Sequence, residues 1–199
     1  SPWSRLVVHA VAAGWLAVGF YLSGAGGEIA SISLLSALVL TNIWNFMDGS
    51  NGMVGMQSLV SAVGFMALSN NQSDTHDLAL IIAACCLGFL PFNFPVARVF
   101  LGDVGSHVLG AASVGLAFLS CVEDQWTMLE VLCLFSALWI DSVLTFIRRS
   151  LRGFRVAQAH RSHLYQYAVR YGLSHTSVCL CYAAWTALMI FIIGVSRQL

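Results

Sequence analysis

Three segments of this chain concentrate side chains able to handle phosphate and a divalent metal. The first reads TNIWNFMDGSNG (41–52), with Asn42, Asn45 and Asp48 at intervals of three. On a helix that spacing aligns the polar groups on one stripe, and Gly49 and Gly52 then end the helix. Polar groups at the end of an apolar helix mark a site or a water-filled cavity; a helix exit made of ordinary turn residues is the plain alternative. The second reads FNFPVARVFLGDVGSHVLG (92–110). Gly102 and Gly105 flank Asp103 and let the backbone approach a phosphate or metal closely. A carboxylate there suits a hard cation such as Mg2+, or it is simply the N-cap of the following helix. The third reads AHRSHLYQYAVRYGLSH (159–175) and places His160, Arg161 and His163 within four residues, with Arg170 downstream. Imidazole and guanidinium together suit phosphate oxygens, although a histidine in a loop is more often merely solvated.

These segments have to be carried by membrane helices. Of 199 residues, 58% are hydrophobic and 9% charged, against roughly a quarter charged in a soluble domain. Charge that sparse argues against a soluble protein and for an all-α, polytopic membrane helix bundle. Seven stretches qualify as spans: Leu6–Leu22, Ile29–Trp44, Met53–Ser69, Leu78–Phe92, Ser106–Val122, Thr127–Ile147 and Ser174–Val195. The connections then alternate between two sides. One side receives Ser1–Arg5, Phe46–Gly52, Asn93–Gly105 and Arg148–Leu173, and the other Ser23–Glu28, Asn70–Asp77, Glu123–Trp126 and the C-terminus. All nine basic residues are arginine, and eight (5, 98, 148, 149, 152, 155, 161, 170) fall on the first side, with only Arg197 on the second. The positive-inside rule places the first side in the cytoplasm. The chain thus reads as one transmembrane domain over 1–199 with a cytoplasmic Arg/His loop at 148–173. Arginines that only fix topology and touch anionic head groups leave His160 and His163 unexplained.

All three segments fall on that one face. Two acids, two histidines, several arginines and flexible glycines are the parts that phosphoryl transfer uses. A P-loop is excluded, because the chain has no lysine. The six cysteines show no CxxC spacing and read as small apolar packing residues, with no disulfide framework. A transporter of a polar or anionic solute is the competing reading, with Asp141 inside the sixth span. Transport calls for polar residues near the midplane of several spans, whereas here they gather at one face. An inactive fragment or scaffold is the third reading.

In the three segments the chain resembles the polyprenyl-phosphate N-acetylhexosamine-1-phosphate transferases, which include bacterial initiators of O-antigen or teichoic-acid synthesis and the peptidoglycan translocase. NIWNFMDGSNG resembles their NxxNxxDGxDG loop, and PFNFPVARVFLGDVGS their NFPxAxxFxGDxGS segment. AHRSHLYQ resembles their histidine motif, in the HRxH form of the O-antigen and lipopolysaccharide initiators. The likeness runs from about Ser1 to His175, in order. It implies transfer of an N-acetylhexosamine-1-phosphate from a UDP-sugar to undecaprenyl or another polyprenyl phosphate, with release of UMP. The reaction would take place at the cytoplasmic face of the bacterial inner membrane. Asp103 would bind the catalytic Mg2+, with Mn2+ as an alternative. Asp48 and Asn45 would line the reacting centre, beside Gly49 and Asn51. Asn93 would contact the nucleotide and Phe100 the uracil, while His160, Arg161 and His163 would hold the diphosphate. Asp48, Asp103, His160 and His163 are then the expected catalytic residues. The expected partners are the UDP-sugar, the polyprenyl phosphate and the bilayer, with no nucleic acid; a homodimer stays open.

Two departures from the family pattern stand out. Asn51 replaces the loop's second Asp, which removes a charge and keeps a hydrogen-bonding group. The family's adjacent Asp-Asp pair, on an earlier cytoplasmic loop, has no counterpart here. The simplest account is a chain lacking the first spans, and this chain alone is expected to be inactive. Asp141 is expected to pair with an arginine near the interface, Glu130 to reach water at the outer end, and His9 and His107 to be core or interface histidines.

Overall fold

The computed structural model describes residues 2–24, 26–154 and 160–199, with side chains from Val7 onward except Val8. The Arg5 side chain and Arg155, both used in assigning sides, lie outside the described residues. The regular elements are α1 (Pro2–Leu22), α2 (Gly26–Met47), α3 (Met53–Leu68), α4 (Asp74–Asn93), α5 (Gly102–Glu123), α6 (Met128–Leu134), α7 (Ser136–Leu151), α8 (Leu164–Arg170) and α9 (His175–Ser196). The architecture is therefore an all-helical bundle, and the helices follow the apolar runs closely. α2 packs between α1 and α5, and α3 between α4 and α9.

Aromatic side chains fill the centre. Trp44 and Phe65 are fully buried, and both lie against Phe135, with ring centroids 5.1 and 6.0 Å away. Large apolar groups such as Trp15, Leu35, Leu87 and Phe191 face outward instead. That distribution suits a bundle whose surroundings are hydrocarbon, where every backbone polar group is satisfied within its helix. α2 and α5 approach especially closely: a Cβ on Gly110 would sit 2.7 Å from the Thr41 Cα. Only glycine permits that crossing.

Two expectations are corrected. The sixth span is not one helix. It breaks between α6 and α7 with a bend of 79°, with neither Gly nor Pro at the break. Phe135 is drawn into the aromatic core, and Ser136 absorbs the interrupted hydrogen bonding: its Oγ donates to Cys133 O (2.6 Å) and accepts from Trp185 Nε1 (2.8 Å). Tertiary packing thus makes the kink. Among the described residues the number of spans also falls short of seven: four helices (α2, α4, α5, α9) are long and apolar enough to cross a membrane, five if the bent pair is one span. α3 has 16 residues, about 24 Å of helix, less than the ~30 Å hydrocarbon core. The described apolar part of α1, His9–Leu22, is short as well. The protein is a multi-pass membrane protein.

The segment 148–173 is more structured than a loop: Arg148 and Arg149 form the last turn of α7, and α8 occupies 164–170. The bundle has two polar ends. One gathers the α2–α3, α4–α5 and α7–α9 connections. The other gathers the α3–α4 and α5–α6 connections with Arg197. Glu130 does not reach for water there; Arg197 Nε donates to it at 2.7 Å, and it also closes a capping box with Thr127.

Candidate active site

The C-terminal end of α2 supplies the first part of the site. Asn45 Nδ2 lies 3.2 Å from Asp103 Oδ1 and 3.0 Å from Ser106 Oγ, so the stripe on α2 meets the first turn of α5. The chain then turns at Gly52, whose φ of 72° is in the left-handed region. Asn93 is buried and spends both ends on main chain: Oδ1 accepts from Gly52 N (2.9 Å), and Nδ2 donates to Val99 O (2.8 Å). Asn51 Nδ2 donates to Pro95 O (3.2 Å). The two asparagines act as straps that hold the α2–α3 connection to the α4–α5 connection. Phe100 is exposed on the latter and does not line the cavity described below.

Two carboxylates meet here. Burial, with the Asp103 charge adding to it, pushes the Asp48 carboxyl up to about 6, against a weaker opposing hydrogen bond from the Gly102 amide. Two neighbouring carboxylates beside an asparagine amide are an oxygen donor set that suits a hard divalent cation. Among the described residues no group of three or more His, Cys, Asp or Glu is arranged to hold a metal. Mg2+ does not need one, since it takes one or two carboxylates and fills its octahedron with water and substrate phosphate.

The third part is the segment around α8. Asp141, expected to pair with an arginine, is instead buried under this segment. It accepts from His163 Nδ1 (3.2 Å), Leu164 N (2.8 Å), Tyr165 N (3.1 Å) and Tyr182 Oη (2.7 Å). The chain folds back over the carboxylate, so amides and an imidazole reach it where an arginine was anticipated. Tyr165 Oη donates to Phe46 O at 3.1 Å, which docks α8 on the α2 exit. Gly49 makes room for that docking: a Cβ there would lie 2.1 Å from Tyr165 Oη. His160 stacks on His163 with centroids 5.1 Å apart. Burial, aided by the Arg149 charge, holds His160 below the ordinary imidazole value. Arg148 donates to Ser162 O and lies over the Tyr167 ring.

These pieces enclose a cavity of about 850 Å3. Asn45, Asp48, Gly49, His160, Arg161 and His163 line its polar part, and Leu38, Val39, Val143 and Phe146 its apolar part between α2 and α7. Asp103 opens instead into a second, mostly apolar cavity of about 500 Å3 between α1, α2 and α5. There His9 and His107 pack ring to ring at 4.2 Å, and His107 Nδ1 lies 2.5 Å from Asp103 O. Asn45 lines the first cavity and donates to Asp103, which lines the second. One contact had no signal in the sequence: Ser50 Oγ lies 2.8 Å from His175 Nδ1, tying the first loop to the start of α9.

Comparison with known proteins fits this geometry. The chain is 28% identical to the decaprenyl-phosphate N-acetylglucosaminephosphotransferase of Mycobacterium leprae, over 94% of this chain and 54% of that protein. It is 37% identical to the phospho-N-acetylmuramoyl-pentapeptide-transferase of Moorella thermoacetica, over 64% of this chain and 42% of that protein. It thus spans about half the length of the curated relatives it matches. The family model for glycosyl transferase family 4 matches residues 1–121, which include Asn45, Asp48 and Asp103. The chain belongs to glycosyl transferase family 4.

Proposed function

We propose that this chain forms the reaction centre of an enzyme that moves an N-acetylhexosamine-1-phosphate from a UDP-sugar to a polyprenyl phosphate. The centre faces the cytoplasm at the bacterial inner membrane, and the product initiates a cell-envelope glycan. The observation that carries the reading is the two-faced cavity. Its apolar part lies between α2 and α7, and its polar part ends on Asp48, His160, Arg161 and His163. An isoprenoid phosphate has the same division, so its head can meet the polar end while its tail stays in lipid.

In this reading an oxygen of the lipid phosphate becomes bonded to the sugar-bearing phosphorus. The bond between that phosphorus and the bridging oxygen of the diphosphate breaks, and the bridging oxygen leaves with UMP. Asp103 and Asp48 would hold Mg2+, with Mn2+ as an alternative. The metal, when bound, neutralises charge on the diphosphate. Asn45 orients the Asp103 carboxylate by its hydrogen bond. Arg161 supplies donors to the diphosphate oxygens, and His163 lines the same cavity. Stacked on His163 and held below its ordinary value by burial, neutral His160 adds a hydrogen bond without a fixed charge. Asn93 and Asn51 act through the loops they strap.

Binding of UMP to the protein in lipid nanodiscs, titrated with Mg2+ and with EDTA, tests the reading. Mg2+-dependent binding that disappears in Asp103→Asn is the expected result. Binding indifferent to both the metal and the substitution counts against it.

A further inference from the structure

We infer that Asp141 is a positioning residue for this site: its carboxylate fixes the His163 ring with Nδ1–H turned toward α7 and Nε2 turned toward the cavity that contains Asp48. The role of Nε2 toward a diphosphate rests on the function proposed above; the fixing of the ring does not.

Asp141 is 1% exposed, on the buried side of α7 with Leu138 and Thr145. An acid in such a place is costly unless it is fully engaged, and both its oxygens are. Oδ1 accepts from His163 Nδ1 (3.2 Å), Leu164 N (2.8 Å) and Thr145 Oγ1 (3.1 Å). Oδ2 accepts from Tyr165 N (3.1 Å) and Tyr182 Oη (2.7 Å). The donors come from α7, from the start of α8 and from α9. Main-chain amides can only donate, and an ionised carboxylate can only accept. The hydrogen facing Asp141 from His163 therefore sits on Nδ1, and in the neutral ring the lone pair is on Nε2. The ring has little freedom to leave this pose. His160 lies 5.1 Å from it at 28° and Tyr165 5.9 Å at 24°, while the His163 backbone N–H is held by Gln166 Oε1 at 3.1 Å.

A carboxylate that served only to anchor the 163–165 backbone would have no need of the imidazole. The two roles separate in a measurement on the ring. In protein labelled with 15N-histidine and held in lipid nanodiscs, the His163 ring shifts, assigned by difference from His163→Gln, report where the proton sits. The expected result is the Nδ1–H tautomer in the unmodified protein. In Asp141→Asn that preference is lost, and turnover of a UDP-sugar with polyprenyl phosphate falls about 10- to 100-fold, as when the partner orienting a histidine is removed. His163→Gln with Asp141→Asn turns over no more slowly than His163→Gln alone. A wild-type ring protonated on Nε2 alone overturns the inference without any variant, even if Asp141→Asn fails to fold. So does a double variant in which the two losses multiply. Turnover is read in the full-length protein, where a wild type that holds the Nδ1–H ring and shows none counts against the transferase reading and supports the role of Asp141.

Discussion

The two polar ends of the bundle use the same residue types to opposite effect. At the end away from the cavity, acids are matched with donors. Arg197 pairs with Glu130 at 2.7 Å and lies over Trp126 at 4.4 Å, Asp124 accepts from Asn70 N at 2.8 Å, and Glu123 from Thr75 N at 3.2 Å. These contacts tie helix ends together. At the cavity end, burial, with the Asp103 charge adding to it, raises the proton affinity of Asp48. The first arrangement lowers the energy of the folded chain by itself. The second concentrates carboxylate oxygens beside a cavity and perturbs the proton affinity of one of them, which marks a candidate site rather than a joint.

The contrast is easiest to break at Asp103. Asp103→Asn in the active full-length protein is expected to lower turnover by about 10^3-fold, the scale of losing a preorganised electrostatic group, with little change in melting temperature. A steady-state assay of UMP release checks it, and turnover within tenfold of wild type would remove the cavity-end acids from the reaction.

Asp48→Asn sharpens the contrast, since it should harm activity and help the fold. The folded-state value of Asp48 is raised from 3.8 to about 6. Its contribution to stability is therefore complete below 3.8 and is lost as pH rises through about 6. Without metal at pH 7.5, Asn at this position should raise the melting temperature by about 2–4 °C. That corresponds to about 1 kcal/mol after allowing for solvent screening of a half-buried group. The gain should shrink toward pH 4 and in Mg2+. Thermal melts across pH, with and without the metal, read both effects.

Gly49→Ala probes shape with no change of charge. Its Cβ collides with Tyr165 Oη, so α8 has to lift from the α2 exit at a cost of about 1–3 kcal/mol. Turnover is expected to drop about tenfold, and Tyr165→Phe in the same chain should restore part of it. The smallest effect on activity belongs to the opposite end. Arg197→Met should lower stability by about 1–2 kcal/mol, between an exposed and a buried pair, and leave KM for both substrates unchanged. A shifted KM there would dissolve the distinction between the two ends.

The sequence disclosed a good part of this division. The helix ends lie near the limits of the apolar runs, and Asn42, Asn45 and Asp48 sit on one stripe because a three-residue interval is nearly a helical turn. It concealed whatever depends on distant packing. The kink at Phe135–Ser136 carries no Gly or Pro and comes from Trp44, Phe65 and Trp185. The partner of Asp141 was sought among arginines, because α8 folding back over α7 leaves no local trace. Asn93 belongs to a recognisable motif, yet its engagement with Gly52 and Val99 shows only once two loops are side by side. His175 and Ser50 are 125 residues apart, and nothing in either neighbourhood announces the contact.

The crossing at Gly110 has a consequence for timing. With backbone against backbone at Thr41, α2 and α5 behave as one girder, and the interval between Asn45 and Asp103 is built in rather than reset at each cycle. The short α8 is joined to that girder from outside, by Tyr165 Oη donating to Phe46 O. A wider residue at 110 would alter no polar side chain chemically and still move Asp48 relative to Asp103, by pushing α2 and α5 apart.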